Sequence, residues 1–422
     1  MNKKVLFIVG GFNKGGGSIR VVKLLKYLPF FDINGVVLTK RSNDEKFYVK
    51  YEDYSIYRTK AFDVGKVYQK IKKIFYRIKL KTDSKALKSH EIKNDRLSDK
   101  FLIPDSDIFW ALNAFFFLSK IIKKESINII YSSSPHASSH IVAFLFRKLM
   151  KTRIPWIVEF RDPWTFNPFV SKKNFLLEYL NKKLEKNVLE ECSKIIVTSM
   201  DYKVKFLNKY NFLVPEKIVF VPNGYDSDDF SEITSLKVDS KCVKIVHAGE
   251  FYGKRSIKNF LMALNEFKQE FPFYANKLSV TQFGNLDPLG ERYNEKYPNP
   301  IFRHFQALPH KKCLQELADA DWLLLIPGPG SGTIPGKFYE YLAIGRPILC
   351  IVDEGPLIEY FRDHRLGIIA SSCDVLAIKR ALVELFESIN VYKEFEINVN
   401  FKSQFDRKNI AEKISDELKS LL

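Results

Sequence analysis

Short continuous apolar runs recur along the chain, separated by stretches in which apolar positions return every three or four residues. The first run, Val5–Val9, feeds the glycine-rich segment Gly10-Gly11-Phe12-Asn13-Lys14-Gly15-Gly16-Gly17. Helical spacing then holds from Ser18 to Leu28 and stops at Pro29. Strand, glycine loop and helix in that order open a doubly wound α/β domain. Gly35–Leu38, Ile127–Tyr131, Trp156–Phe160 and Lys194–Thr198 have the same doubly buried character. A second series follows: Val243–His247, Leu278–Phe283, Ile301–Phe305, Trp322–Leu325 and Pro347–Val352. Helical patterns at Ser256–Phe267 and Lys311–Ala318 alternate with it, and another covers Arg407–Leu422. Two βα series predict two Rossmann-like domains, residues 1–235 and 236–400, joined near 232–241. Residues 401–422 are expected to form a helix packing back on the first domain. No repeat at a fixed period suggests a solenoid.

Residues 45 to 100 break the pattern, being lysine-rich and without the look of buried strands. Within them Lys66–Lys81 carries Lys66, Lys70, Lys72, Lys73, Arg77, Lys79 and Lys81 with no acid. Val67, Ile71, Ile74, Phe75 and Ile78 fall on one helical face. This basic amphipathic helix either packs its apolar side on the domain or rests on an anionic membrane. The run Phe115-Phe116-Phe117 reads first as core, second as another such contact. Ile108–Leu118 is too short to span a bilayer, and the N-terminal run is too short for a secretory signal. A cytoplasmic chain, peripheral at most, is expected.

The 422 residues, 46% hydrophobic and 14% aromatic, exclude a largely disordered chain. The net charge of +18 fits any anionic partner. No nucleic-acid module is readable, so nucleic acid is not expected as one. The cysteines Cys192, Cys242, Cys313, Cys350 and Cys373 are scattered, against a disulfide framework or a cysteine zinc site.

Two glycine-rich segments are candidates for chemistry. Residues 10–17 match neither the dinucleotide fingerprint nor a P-loop. They form either a tight turn or a phosphate-approach loop helped by Arg20. Gly328-Pro329-Gly330-Ser331-Gly332-Thr333-Ile334-Pro335-Gly336-Lys337 follows a strand and opens a helix, the arrangement of an anion site at a positive helix end. Lys337 adds a full charge there, and Glu340 lies one turn on, where a carboxylate accepts two ribose hydroxyls. The alternative is an ordinary exposed ion pair.

Pro335-Gly336-Lys337-Phe338-Tyr339-Glu340-Tyr341-Leu342-Ala343, followed by Gly345-Arg346-Pro347, resembles the donor-binding signature of family 4 glycosyltransferases. Other landmarks recur in order: Arg161-Asp162-Pro163-Trp164, Val221-Pro222-Asn223-Gly224, His247-Ala248-Gly249, and Leu308-Pro309-His310. The resemblance implies the GT-B fold, two Rossmann-like domains facing a cleft. It implies a nucleotide-sugar donor and a glycan or polyprenyl-linked acceptor, as in capsule or lipopolysaccharide assembly. Glu340 would hold the ribose. Gly249, Arg255, Lys337 and the backbone of Thr333, Pro335 and Gly336 would hold the diphosphate, and Leu308 and Pro309 would flank the base. His136 would sit near the transferred sugar, with Gly15, Gly16, Gly17, Arg161 and Asp162 on the acceptor side. His136 and His140 otherwise read as structural histidines.

Members usually have an arginine where Glu250 stands, and many have a glutamate where Gly332 stands. The first change leaves more of the phosphate charge to Arg255 and Lys337, and the second leaves the donor sugar open. The resemblance implies transfer with retention, no cofactor and no metal. Asp-x-Asp pairs at Asp105/Asp107, Asp226/Asp228 and Asp319/Asp321 do not follow a buried donor-domain strand. A nucleotide-sugar 2-epimerase of the same fold and a catalytically inactive scaffold remain alternatives.

Overall fold

In the computed structural model the described residues are 3–12, 18–42, 45–61, 102–167, 174–234, 242–252, 255–328, 334–388 and 395–422. The basic stretch Lys66–Lys81, the glycines Gly15, Gly16 and Gly17, and Gly332 and Thr333 lie outside them. The chain divides into two compact units. The first comprises Met1–Val197, Lys203–Phe220 and Ile414–Leu422, and the second Thr198–Tyr202 and Val221–Lys413.

The first unit is built on an eight-stranded sheet of order β3-β4-β2-β1-β5-β6-β7-β8. Its strands are β1 (Lys3–Val9), β2 (Ile33–Lys40), β3 (Tyr48–Lys50), β4 (Tyr54–Thr59), β5 (Ile129–Ser133), β6 (Trp156–Phe160), β7 (Lys194–Val197) and β8 (Ile218–Phe220). All neighbours run parallel except β3 against β4. The described helices include α1 (Ile19–Tyr27), α2 (Ile108–Glu125), α3 (Ser138–Met150) and α4 (Phe175–Glu191). β1 is buried from Val5 to Val9, as strands covered on both faces must be.

Two readings of this half need correction. Residues 48–59 hold the strands β3 and β4, and β4 is buried along five of its six residues. Polar Arg58 and Thr59 hid it, because each has a partner: Trp110 Nε1 donates to Thr59 Oγ1 at 2.9 Å, and Arg58 Nε lies 3.2 Å from Glu45. The run Phe115-Phe116-Phe117 is not core throughout, since Phe116 is 75% exposed. Consecutive helical positions diverge by about 100°, and Ala111, Ala114, Leu118 and Ile121 already supply the inward face of α2.

The second unit has a six-stranded, all-parallel sheet of order β11-β10-β9-β12-β13-β14. Its strands are β9 (Val243–Ala248), β10 (Leu278–Phe283), β11 (Phe302–Phe305), β12 (Trp322–Leu325), β13 (Ile348–Ile351) and β14 (Gly367–Ala370). Helices include α5 (Lys258–Glu270), α6 (Pro288–Lys296), α7 (His310–Ala318), α8 (Gly336–Ile344), α9 (Pro356–His364) and α10 (Val375–Glu387). β8 and β14 were not anticipated. Val221–Ile233 belongs to this unit rather than ending the first, because Tyr225 exchanges backbone bonds with Phe405 (3.0 Å) and Arg407 (2.8 Å). The last helix, α11 (Arg407–Lys419), begins in the second unit and ends in the first.

Candidate functional site

In each sheet the strand order reverses once, and ligands of open α/β sheets bind at the carboxyl ends of the strands flanking that reversal. The reversal lies between β1 and β5 in the first unit and between β9 and β12 in the second. Gly10 follows β1 and His136 follows β5. Gly249 follows β9, and the lead into α8 follows β12.

In the second unit, Lys337 lies in the first turn of α8 and reaches back over Gly249. Gly249 has φ +134°, and a Cβ on it would stand 2.3 Å from Lys337 Nζ. Lys337 Nζ is 3.1 Å from His247 Nε2, and His247 Nδ1 meets Gln282 Oε1. The Gln282 amide nitrogen donates to the carbonyls of Gly249 (2.7 Å), Phe283 (3.0 Å) and Gly284 (3.2 Å). Those three acceptors fix Oε1 as the side that accepts. His247 therefore donates from Nδ1 and turns the Nε2 lone pair toward the ammonium. Burial, then the Lys337 charge, holds His247 well below the usual histidine range, so it stays neutral. Burial, then the neighbouring Arg255, pulls the Lys337 ammonium down to about 8.

Arg255 lies along the loop that follows β12. Its Nε donates to Pro327 O at 2.8 Å, and its guanidinium sits 5.0 Å from the Tyr252 ring centre. Gly328, at φ +87°, leaves the room this needs, since a Cβ there would be 2.5 Å from Arg255 Cγ. Pro335 caps α8 with no side-chain hydrogen bond, so among the described residues no capping side chain takes the amides of Gly336 and Lys337 at the positive helix end. The Tyr341 hydroxyl pins α8 to the sheet, accepting from Ala248 N (3.3 Å) and donating to Leu324 O (3.2 Å).

Glu340 stands one turn beyond Lys337, half-exposed, with His310 Nε2 3.0 Å from its Oε1. Leu308, two residues before His310, is half-buried, and exposed Pro309 caps α7. Glu250 is exposed and accepts from Asn285 Nδ2 at 3.3 Å. The structure thus brings Gly249, Arg255, Pro335, Gly336, Lys337 and Glu340 to one end of one sheet. A methyl on Gly249 would displace the ammonium and strain a left-handed backbone by about 1–3 kcal/mol.

In the first unit, His136 adopts φ +69° and is half-exposed, as is Lys40, while Asp107 between them is buried. Its Nδ1 lies 3.2 Å from Asp107 Oδ2, and Lys40 at the end of β2 pairs with the other oxygen. A Cβ on Gly10 would sit 3.0 Å from Asp107 Oδ2 and 3.1 Å from His136 Cβ. Asp105 accepts from Ser138 N (3.0 Å), Ser138 Oγ (2.6 Å) and Asp107 N (2.9 Å). Asp105, Asp107 and His136 bring ligand-type atoms within 4.8 Å of one another. Asp105 is already occupied capping α3, and Lys40 already neutralises Asp107, so this donor set suits orienting His136 better than holding a cation.

Arg20 does not face a phosphate. It is buried, and its Nε lies 2.6 Å from Glu159, which also accepts from Tyr131 OH (2.7 Å) and Ser133 Oγ (2.6 Å). Burial alone would raise the Glu159 carboxyl, but Arg20 and Arg161 overcome it and hold the group below the usual range. Arg161 is half-buried and donates to the Ser134 carbonyl, while Asp162 O accepts from Ser134 Oγ at 3.3 Å. His140 is buried against Phe160 and accepts or donates to Ser132 Oγ at 2.8 Å, with burial pushing it down to about 3. It is structural.

His247, Gln282, His310 and Asp107 were not identified from the sequence. His247 and His310 stand inside quoted motifs, which was a signal. Asp107 stood out only as half of the Asp105/Asp107 pair, and Gln282 gave no signal, because its contacts join distant segments.

Residues 77–229 match Glycosyltransferase Family 4. No curated protein sequence matches the chain. Three solved structures illustrate its likeness to known folds. The E. coli trehalose-6-phosphate structure bound with UDP-2-fluoro glucose has TM-score 0.66 and 12% identity, covering 100% of this chain and 99% of that one. An α,α-trehalose-phosphate synthase (UDP-forming) from Burkholderia vietnamiensis has TM-score 0.66 and 11% identity, with coverage of 100% and 99%. A UDP-GlcNAc 2-epimerase from Neisseria meningitidis bound to UDP-GlcNAc has TM-score 0.56 and 15% identity, with coverage of 99% and 100%. The fold over the whole chain is GT-B.

Proposed function

We infer that this GT-B chain is a retaining glycosyltransferase that moves a sugar from a nucleoside-diphosphate donor to a hydroxyl-bearing acceptor. The convergence of Lys337, Arg255 and the open end of α8 beside Gly249 carries the reading. Two cationic side chains and free backbone N–H groups at one strand end suit a diphosphate. The family match over residues 77–229 supports it from the other unit.

In the reaction, the bond between the sugar anomeric carbon and the diphosphate oxygen breaks, its electron pair remaining on the β-phosphate. The acceptor oxygen bonds to the anomeric carbon, and its proton passes to the departing phosphate. Positive groups fixed in advance stabilise the charge that builds on the leaving group. Lys337 is held for this by neutral His247, and Arg255 by Pro327 O and Tyr252. With that charge supplied by the chain, the diphosphate needs no bridging metal and the reaction no cofactor. Glu340 takes the ribose, releasing His310, and Leu308 and Pro309 flank the base.

The first unit supplies the acceptor side through His136, Arg161 and Asp162. Gly15, Gly16 and Gly17, with Thr333 of the donor loop, belong to the same proposal on the family pattern. A lipid-linked or cell-surface glycan is the acceptor suggested by the basic stretch Lys66–Lys81. Among the described residues no helix is long and apolar enough to cross a membrane.

Thermal shift with UDP, GDP, ADP, CDP and CMP tests the donor site. A ligand at 100 times its dissociation constant stabilises by about 2.7 kcal/mol. One nucleoside diphosphate should shift the wild type strongly and Glu340→Ala weakly. No shift from any of them overturns the assignment. Donor turnover that yields an epimerised nucleotide sugar, with no acceptor product, favours the epimerase; binding without turnover favours an inactive scaffold.

A further inference from the structure

The geometry points to the N-terminal half of α4 as a docking surface for an anionic lipid bilayer. The first half of this helix is inside out, whereas Val188 and Leu189 further along are buried in the ordinary way. Facing the domain are Asn181, which accepts from Trp164 Nε1 at 3.2 Å, and Glu185, which accepts from Thr165 Oγ1 (2.6 Å), Tyr210 OH (2.5 Å) and Lys209 Nζ (2.6 Å). Facing outward are Phe175 (87% exposed), Leu176 (63%), Tyr179 (56%) and Leu180 (38%). A helix packed for a soluble surface puts its polar stripe out and its apolar stripe in. Here the spacing i, i+1, i+4, i+5 gathers four large apolar side chains on the solvent side of the first turns. The exposure is not fraying, because Asn174 caps the helix by accepting from Leu177 N at 2.9 Å.

Charge identifies the occupant. Lys182 and Lys183 are exposed on the same face, directly after the apolar turns, while Lys186 further along pairs with exposed Glu190 at 3.6 Å. The helix thus presents an apolar tip followed by a basic collar, which matches acyl chains below anionic headgroups. A second copy of this chain would bring two lysine collars together, on a protein already carrying +18. The tip also lies at the functional edge of the sheet. Ser193, just past α4, donates from its N to Trp156 O at the start of β6 (2.8 Å), so α4 runs back from the end of β6 to its beginning. Its first turn therefore stands at the edge where β6 ends, the edge that carries Gly10, His136 and Arg161. Docking there would suit an acceptor presented by a membrane, but the contact itself requires neither donor nor acceptor.

Co-sedimentation of the full chain with vesicles of phosphatidylcholine alone, or mixed with phosphatidylglycerol, tests the inference independently of any transferase activity. The wild type should bind the anionic vesicles and leave the neutral ones. F175S/Y179S should reduce binding at least tenfold, given the apolar area withdrawn. K182E/K183E should do the same, each lysine near such a surface being worth about fivefold. Both pairs are exposed, and unchanged melting temperatures would show that the variants fold. Wild-type binding by F175S/Y179S overturns the proposal. So does loss confined to K72E/K73E, which would assign the membrane to the other basic stretch. A lipid-free dimer in ultracentrifugation, abolished by F175S/Y179S, would overturn it in favour of self-association.

Discussion

Lys337→Ala should lower glycosyl transfer by about 10²–10³-fold, mainly in turnover, because it removes a positive group aimed at the charge of the departing diphosphate. The fold should survive, since Lys337 is half-buried and its Nζ contact is with a side chain held independently by Gln282. A pH dependence accompanies it. With its ammonium at about 8 in the free protein, Lys337 is charged below that pH and neutral above it. A bound diphosphate favours the charged form and raises the value. Affinity for the nucleoside diphosphate should therefore be level below pH 8, then fall by up to tenfold per pH unit above it. Titration calorimetry between pH 7 and 9.5 reads this directly. The Ala variant should bind weakly and show no such slope. An equal slope in the variant would assign the proton to another group.

Glu159→Ala should lower stability by about 3–5 kcal/mol, because it removes the carboxylate that pairs with buried Arg20. That is a large part of the roughly 5–15 kcal/mol that holds a domain together. Urea unfolding at pH 7 would measure it. The pH profile should have a definite sign. The folded carboxyl is held below its usual value, so its contribution is complete at neutral pH and disappears as pH falls through the folded value. Stability of the wild type should drop over that acid range, while Glu159→Ala, already destabilised, should lose less. Arg20→Ala should approach the same penalty from the other partner, since Arg161 alone then faces the carboxylate.

Much of the fold was legible because doubly buried parallel strands must be apolar along their whole length. Val5–Val9, Trp156–Phe160, Leu278–Phe283 and Trp322–Leu325 each lie within a strand of the structure. β4 failed that test only because its polar side chains find partners on other segments. The donor side was legible in outline for a similar reason. A glycine-rich turn into a helix, with Lys337 and Glu340 one turn apart, is a local arrangement that sequence spacing describes.

What the sequence by itself determined is the local chemistry: which segments are buried strands, where helices begin, and where a cationic helix end follows a glycine loop. Tertiary structure alone decided which groups act together. Arg20 was open to a phosphate by sequence and is closed against Glu159 by folding. Lys337 gained its acceptor from His247 on a strand 90 residues away, and Asp107 gained His136 and Lys40 from two other segments. α4 shows the same division, its composition unremarkable until packing turned Asn181 and Glu185 inward and Phe175 and Tyr179 out. The physical reason is common to all of these. Periodicity reports the average environment of a face, whereas a hydrogen bond or ion pair depends on which distant segment arrives there.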